Sequence, residues 1–230
     1  QLADADEVMR RIRRKPGVRY PVLVPNERGL DRALAVGVDA IALFTAATES
    51  FCQANIRCSI DESFERFAPV VARAHAAGLW IRGYVSVAFD CPYSGRVKPE
   101  SAVSVAERLL RLGCDELCLA DTIGTAQPDD VLRLLDHARA NLPFHLLALH
   151  FHDTHGNAID NVLTAYREGI RIFDGAASGL GGCPFAPGAP GNVATERVVA
   201  AFEALGVRTG VDQQAVIDAA MRLRSALGTP

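Results

Sequence analysis

Residues 146–157 read LLALHFHDTHGN and residues 170–192 read IRIFDGAASGLGGCPFAPGAPGN, and the way these two runs fold decides the architecture of the whole chain. In LLALHFH the two-residue period of a strand puts Ala148, His150 and His152 on one face and Leu147, Leu149 and Phe151 on the other. The two imidazoles therefore project side by side. The chain then turns through Asp153, Thr154, His155 and Gly156, crosses a helix-patterned run, and enters a second apolar strand, IRIF. That strand opens into a glycine-rich loop that carries Cys183 and ends at Asn192. Two histidines two residues apart on a strand, with an amide oxygen from a later loop, can converge on one divalent cation. A thiol on that loop could then transfer protons beside the cation. The plainer alternative is a pair of histidines satisfied by ordinary hydrogen bonds, with a flexible loop nearby.

Working outward, the same plan recurs. Apolar runs at 19–26 (RYPVLVPN), 38–47 (VDAIALFTAA), 79–89 (LWIRGYVSVAF) and 115–124 (DELCLADTIG) read as further strands. Residues 4–14, 27–37, 59–77, 99–112, 128–141, 157–169, 194–205 and 210–227 have helical patterning. Ser59 with Glu62 makes a capping box, and Pro69 predicts a kink in the helix that follows it. Thr48, Glu49 and Ser50 lead into a predicted loop containing Asn55, and Cys91, Pro92 and Tyr93 into another. Short apolar strands alternating with helices, with polar residues gathered after the strands, are the habit of parallel α/β folds and of the (β/α)8 barrel in particular. The expected fold is thus a TIM (β/α)8-type barrel in a single domain over residues 1–230, with C-terminal helices over 193–230. Six strand-helix repeats are present against the eight that close such a barrel. Because a helix comes first, the absent units are expected to be the first two strands and the first helix, upstream of Gln1.

Composition narrows the function. With 230 residues, 49% of them hydrophobic, the chain can bury a sizeable core. A net charge of -3 offers no basic face for nucleic acid, and no stretch approaches the roughly 20 apolar residues that span a bilayer. The six cysteines are scattered without metal-ribbon pairing, which predicts free thiols in a reducing compartment, with Cys114 and Cys118 as buried packing residues. Arginine outnumbers lysine, as in GC-rich bacterial genomes, and with free thiols in a reducing compartment the expected location is the bacterial cytoplasm. Alternation places Arg82, Tyr84 and Ser86 on one face of their strand, and an arginine facing the centre of a fold needs a reason to be there. It has either a pocket ligand or a structural carboxylate to meet. Asp121, at the tip of its strand, is open to two readings, as a metal-site residue or as a cap for the next turn.

HFHDTHGN followed by GLGGCPFAPGAPGN resembles the 3-hydroxy-3-methylglutaryl-CoA lyase family, one of the metal-dependent aldolase-like TIM barrels. YPVLVPN, FTAATESFCQANIRCSIDESF, IRGYVSVAFDCPYSGRV and LCLADTIG extend the resemblance over nearly the whole chain. It implies that His150, His152 and Asn192 hold Mg2+ or Mn2+. It further implies that Cys183 takes part in proton transfer, that His150 also touches the reacting atoms, and that Asp121 sits close to the metal and its waters. Asn55, Arg82 and Tyr84 would line the pocket for an acyl-CoA thioester. The family's fourth ligand, an aspartate on the first strand preceded by an arginine, and a glutamate on the second strand have no counterpart here. The implied reaction is retro-Claisen cleavage of the thioester to acetyl-CoA and acetoacetate by a homo-oligomer, expected to be a dimer. Two alternatives stay open at this point. One is a related lyase or aldolase acting on another 3-hydroxy acyl-CoA or 3-hydroxy acid, and the other is an inactive truncated barrel that serves as a binding partner.

Overall fold

A computed structural model describes residues 4–182 and 191–227. Six strands form one parallel sheet in the order β1 (Val22–Leu23), β2 (Ala40–Ala46), β3 (Trp80–Ser86), β6 (Glu116–Asp121), β7 (Leu147–Phe151) and β8 (Ile172–Asp174). A small antiparallel hairpin, β4 (Asp90–Cys91) with β5 (Gly95–Arg96), sits in the loop after β3. Helices α1 (Ala5–Arg11), α2 (Glu27–Ala35), α3 (Glu49–Ile56), α4 (Ile60–Ala76), α5 (Pro99–Leu112), α6 (Pro128–Asn141), α7 (Ala158–Arg167), α8 (Thr195–Ala204) and α9 (Gln213–Leu227) complete the described residues. The six parallel strands are the six that the hydrophobic patterning marks. This is a TIM-barrel-like arrangement whose edge strands, β1 and β8, do not pair with each other.

One face of the sheet is apolar and the other is not. Ile41, Leu43, Ile81, Val85, Leu117, Leu119, Leu147, Leu149 and Phe151 alternate along their strands and are all within 1% of complete burial. Each withdraws enough apolar surface to contribute roughly 1.5–3 kcal/mol. Gly83 lies on the same face, where an added Cβ would stand 3.0 Å from both Cys114 Sγ and Leu109 Cδ1, so the absence of a side chain is what lets α5 press against β3. The residues between them, among them Arg82, Tyr84, Cys118, Ala148 and His150, point to the opposite face by the same two-residue alternation.

Helix ends follow local chemistry. Ser59 Oγ accepts from the Glu62 N–H at 3.0 Å while Glu62 Oε2 accepts from the Ser59 N–H at 2.7 Å, completing the capping box at the start of α4. That helix is continuous through Pro69. Gly113, with φ +114°, ends α5 in the left-handed conformation that favours glycine.

Three local expectations need correction. The predicted loop containing Asn55 is the helix α3, started by Thr48, whose side chain accepts from the Phe51 N–H, and stopped by Arg57 at φ 54°. Asn55 is therefore half-buried on a helix. The run 19–26 contributes only two strand residues, because Pro21 and Pro25 on either side lack the N–H that a longer ladder needs. The predicted loop after β3 contains the β4–β5 hairpin. Cys52, Cys58, Cys91, Cys114 and Cys118 are free and buried, as the scattered spacing predicts.

Candidate active site

β7 carries His150 and His152 to the C-terminal end of the sheet, where their ring centroids lie 5.2 Å apart. His152 also forms an isolated antiparallel bridge with Asn192, so the loop after β8 returns across the end of β7. Bridge partners have side chains on the same side with Cα atoms about 4.5–5.5 Å apart, which brings the Asn192 amide beside the imidazoles. The orientation of that amide is fixed, because Nδ2 donates to the carbonyls of Leu180 at 2.9 Å and Gly181 at 3.0 Å. Its Oδ1 consequently faces away from those carbonyls.

His152 is 7% exposed, and its Nδ1 is buried with no hydrogen-bond partner among the described residues. Leaving a buried polar atom unmatched costs free energy, so an unpaired ring nitrogen beside a second imidazole and an amide is a feature in want of a ligand. Burial, helped by the neighbouring His150, pushes the His152 pKa down to about 4, which keeps the ring neutral near pH 7 and able to donate a lone pair. Among the described residues no carboxylate or thiolate joins the histidines as a third ligand.

Asp121 ends β6, adjacent to β7, and the His152 N–H donates to its backbone carbonyl at 3.3 Å. Its carboxylate is 1% exposed and accepts from the N–H groups of Gly124, Thr125 and Ala126 at 3.1 to 3.2 Å. Burial lifts its pKa to about 6 against the pull of those three amides. The capping chemistry expected as one of its two readings is thus present, on the loop next to the histidines.

Arg82 and Tyr84 reach the same region through a carboxylate that sequence reasoning passed over. Asp174, the last residue of β8, is paired in register with His150. Arg82 Nη1 lies 2.9 Å from Asp174 Oδ1, Tyr84 Oη donates to Asp174 Oδ2 at 3.0 Å, and Cys118 Sγ lies 3.7 Å from that oxygen. Arg82 Nε is also 3.0 Å from Glu116 Oε1, close enough for charge pairing but outside hydrogen-bond alignment. Small neighbours on the intervening strands, Cys118 and Ala148, leave room for the long side chains of β3 to cross to β8. Burial and the Asp174 carboxylate hold the Tyr84 phenol protonated. Burial works against ionisation of Asp174 itself, but His150, Arg82 and Tyr84 outweigh it and hold its pKa below the usual carboxylate value. Of the two readings of Arg82, the structure supplies the structural carboxylates.

Asn55 has no hydrogen bond to the histidines or to this cluster among the described residues, and Cys183 lies outside the described residues. Asp174 is the site residue the sequence hides: its only signal was an aspartate closing an apolar strand, IRIFD, of the same form as Asp121 closing ELCLAD.

The HMGL-like family description matches residues 3–222. The chain is 49% identical over 229 residues to hydroxymethylglutaryl-CoA lyase of Pseudomonas mevalonii, a match covering 100% of this chain and 76% of that protein. It is 48% identical over 219 residues to the cytoplasmic 3-hydroxy-3-methylglutaryl-CoA lyase of Mus musculus, covering 95% of this chain and 64% of that one. The crystal structure of the HMG-CoA lyase from Brucella melitensis superposes with a TM-score of 0.95 at 50% identity, over 98% of this chain and 80% of that chain.

Proposed function

The chain belongs to the HMGL-like family, and we propose that it is a carbon-carbon lyase that cleaves 3-hydroxy-3-methylglutaryl-CoA to acetyl-CoA and acetoacetate. The observation that carries this reading is the convergence of His150, His152 and Asn192 at the C-terminal end of a parallel sheet, the face on which barrel enzymes place their chemistry. These residues would supply part of the shell of a divalent cation, Mg2+ or Mn2+: two imidazoles, one with an unpartnered buried nitrogen, and an amide whose oxygen is turned away from its anchoring carbonyls. All three are neutral and hard cations favour anionic oxygen, so without an acidic ligand the ion is held weakly. When bound there, such an ion supplies Lewis acidity that polarises the substrate hydroxyl and fixes the scissile bond.

The remaining chemistry falls to the chain's own groups. His150, when its lone pair is not committed to a cation, or a group beside it accepts the proton of the tertiary hydroxyl as the C–C bond breaks, and the bonding electron pair moves into the acetyl thioester as an enolate while the alcohol carbon becomes the ketone of acetoacetate. Cys183 gives its proton to the enolate carbon, and its thiolate recovers a proton from His150 or from solvent. Asp121 shapes the loop beside the reacting groups, Asn55 contributes to the acyl-CoA pocket, and Arg82 and Tyr84 contribute to its wall while engaged with Asp174. The same proposal makes the protein one barrel domain over residues 1–230, and a dimeric, cytoplasmic bacterial enzyme. Among the described residues no helix is long and apolar enough to cross a membrane.

The test is direct. Purified protein stripped with EDTA and reloaded with Mn2+ or Mg2+ should release acetyl-CoA and acetoacetate from 3-hydroxy-3-methylglutaryl-CoA. A panel of other 3-hydroxy acyl thioesters should react more slowly. Release from a different member of that panel alone would move the assignment to a related lyase. No release from any of them, with metal bound, would leave the binding-partner reading.

A further inference from the structure

Asp174 belongs to β8, and the sheet register sets it directly beside His150 on the neighbouring strand. Its carboxylate is held at both ends by groups from β3, three strands away in the sheet order: Arg82 Nη1 on Oδ1 at 2.9 Å and Tyr84 Oη on Oδ2 at 3.0 Å. A carboxylate gripped in this way cannot rotate to follow a partner. The one ring nitrogen that approaches it is His150 Nδ1, 3.5 Å from Oδ2 and within a small ring rotation of a full hydrogen bond.

Arg82 meets Asp174 through Oδ1 and shares its charge with Glu116, on which Arg19 also acts, so the Oδ2 that faces His150 has no cation of its own and remains an acceptor. A ring nitrogen facing that oxygen with its lone pair would be repelled, whereas an N–H is attracted. The opposite nitrogen, Nε2, then carries the lone pair. His152 has no comparable neighbour, since its Nδ1 is unpartnered among the described residues.

We propose that Asp174 is a positioning residue, a carboxylate clamped by Arg82 and Tyr84 that fixes His150 in the Nδ1–H tautomer and so leaves Nε2 free to bind a divalent cation or take the substrate proton. The inference rests on the role given to His150 above. The arrangement corresponds to the way an outer carboxylate orients and strengthens a metal-binding imidazole, where removal of the outer group typically costs roughly 10–100-fold in metal affinity.

The experiment uses the full-length protein with two variants, Asp174→Asn and the double variant Arg82→Gln/Asp174→Asn, the second keeping the net charge of the cluster unchanged. Nitrogen-15 chemical shifts of His150 before metal addition report its tautomer, and Mn2+ titration by calorimetry reports affinity. The wild type should show His150 protonated at Nδ1. Both variants should lose that preference and bind Mn2+ roughly 10–100-fold more weakly. If Asp174 served only to neutralise Arg82, the double variant would recover both wild-type tautomer and affinity, and that result overturns the proposal. An unchanged tautomer in Asp174→Asn overturns it as well. Should Asp174→Asn fail to fold, the double variant decides the question alone. Should the wild type take up no Mn2+, the metal reading falls, and the tautomer shift by itself decides the positioning role.

Discussion

Asn192 stands opposite His152 in an antiparallel bridge while its own side-chain N–H2 is committed to the carbonyls of Leu180 and Gly181. One residue thus does two things. It ties the loop after β8 to the end of β7, and it turns an amide oxygen away from that tie.

The tie depends on the glycine before it. Gly191 has φ +113°, and a Cβ there would fall on the carbonyl oxygen of Gly179 and stand 2.7 Å from that of Gly181. Gly191→Ala should therefore push the two loop segments apart, costing about 2 kcal/mol in stability from backbone strain and contact. Because the displaced segment carries Asn192, Mn2+ affinity should fall with it. Denaturant unfolding and calorimetry read the two effects, and an alanine variant matching wild type in both would show that the close approach is unimportant.

His152 should make the metal-free protein lose stability in acid. Its pKa falls from 6.5 in the unfolded chain to about 4 in the fold, so between those values the unfolded state binds the proton and the native state does not. The stability contributed by the neutral ring is complete above pH 6.5 and is lost as the pH falls toward 4. Asp121 contributes in the opposite direction: burial raises its pKa from 3.8 to about 6, so it favours the fold as the pH falls through the same window. Relative to wild type, His152→Gln should gain stability as the pH falls across that window, and should also abolish Mn2+ uptake. A profile parallel to that of wild type would assign the acid sensitivity elsewhere.

Arg82 holds two carboxylates from two other strands in a buried setting. Arg82→Met leaves Asp174 without its cation and Glu116 with Arg19 alone, so a loss of about 3–5 kcal/mol is expected in denaturant unfolding. Arg82→Lys should recover only part of it, because a single ammonium cannot present the planar fork that meets both partners. Full recovery by lysine would argue that charge alone matters.

Cys183→Ala should lower turnover by about 10²–10⁴-fold, the range for a positioned proton donor, while calorimetric Mn2+ binding stays as in wild type. Unchanged turnover would remove the thiol from the mechanism.

The sequence was a good guide wherever local chemistry is self-sufficient. Period-two alternation in LLALHFH is a property of any strand, so the shared face of His150 and His152 was legible without neighbours. The Ser59–Glu62 capping box and the helix Pro128–Asn141 follow from contacts a few residues apart. The helix α3 was missed because it is only eight residues long and lies between a strand and another helix. Its one local sign is Thr48 followed by Glu49, a helix-start signature easily taken for a turn.

By itself the chain determined its alternation of strands and helices, the side of the sheet each strand residue faces, and the polar groups available at the strand tips, because these depend on backbone period and on near neighbours. Which of those groups meet was decided by tertiary structure alone. Arg82 and Asp174 are 92 positions apart in the chain and come within 2.9 Å only because β3, β6, β7 and β8 are laid side by side with small residues between them. Strand order and register carry no local signature, and they set the partner of His150.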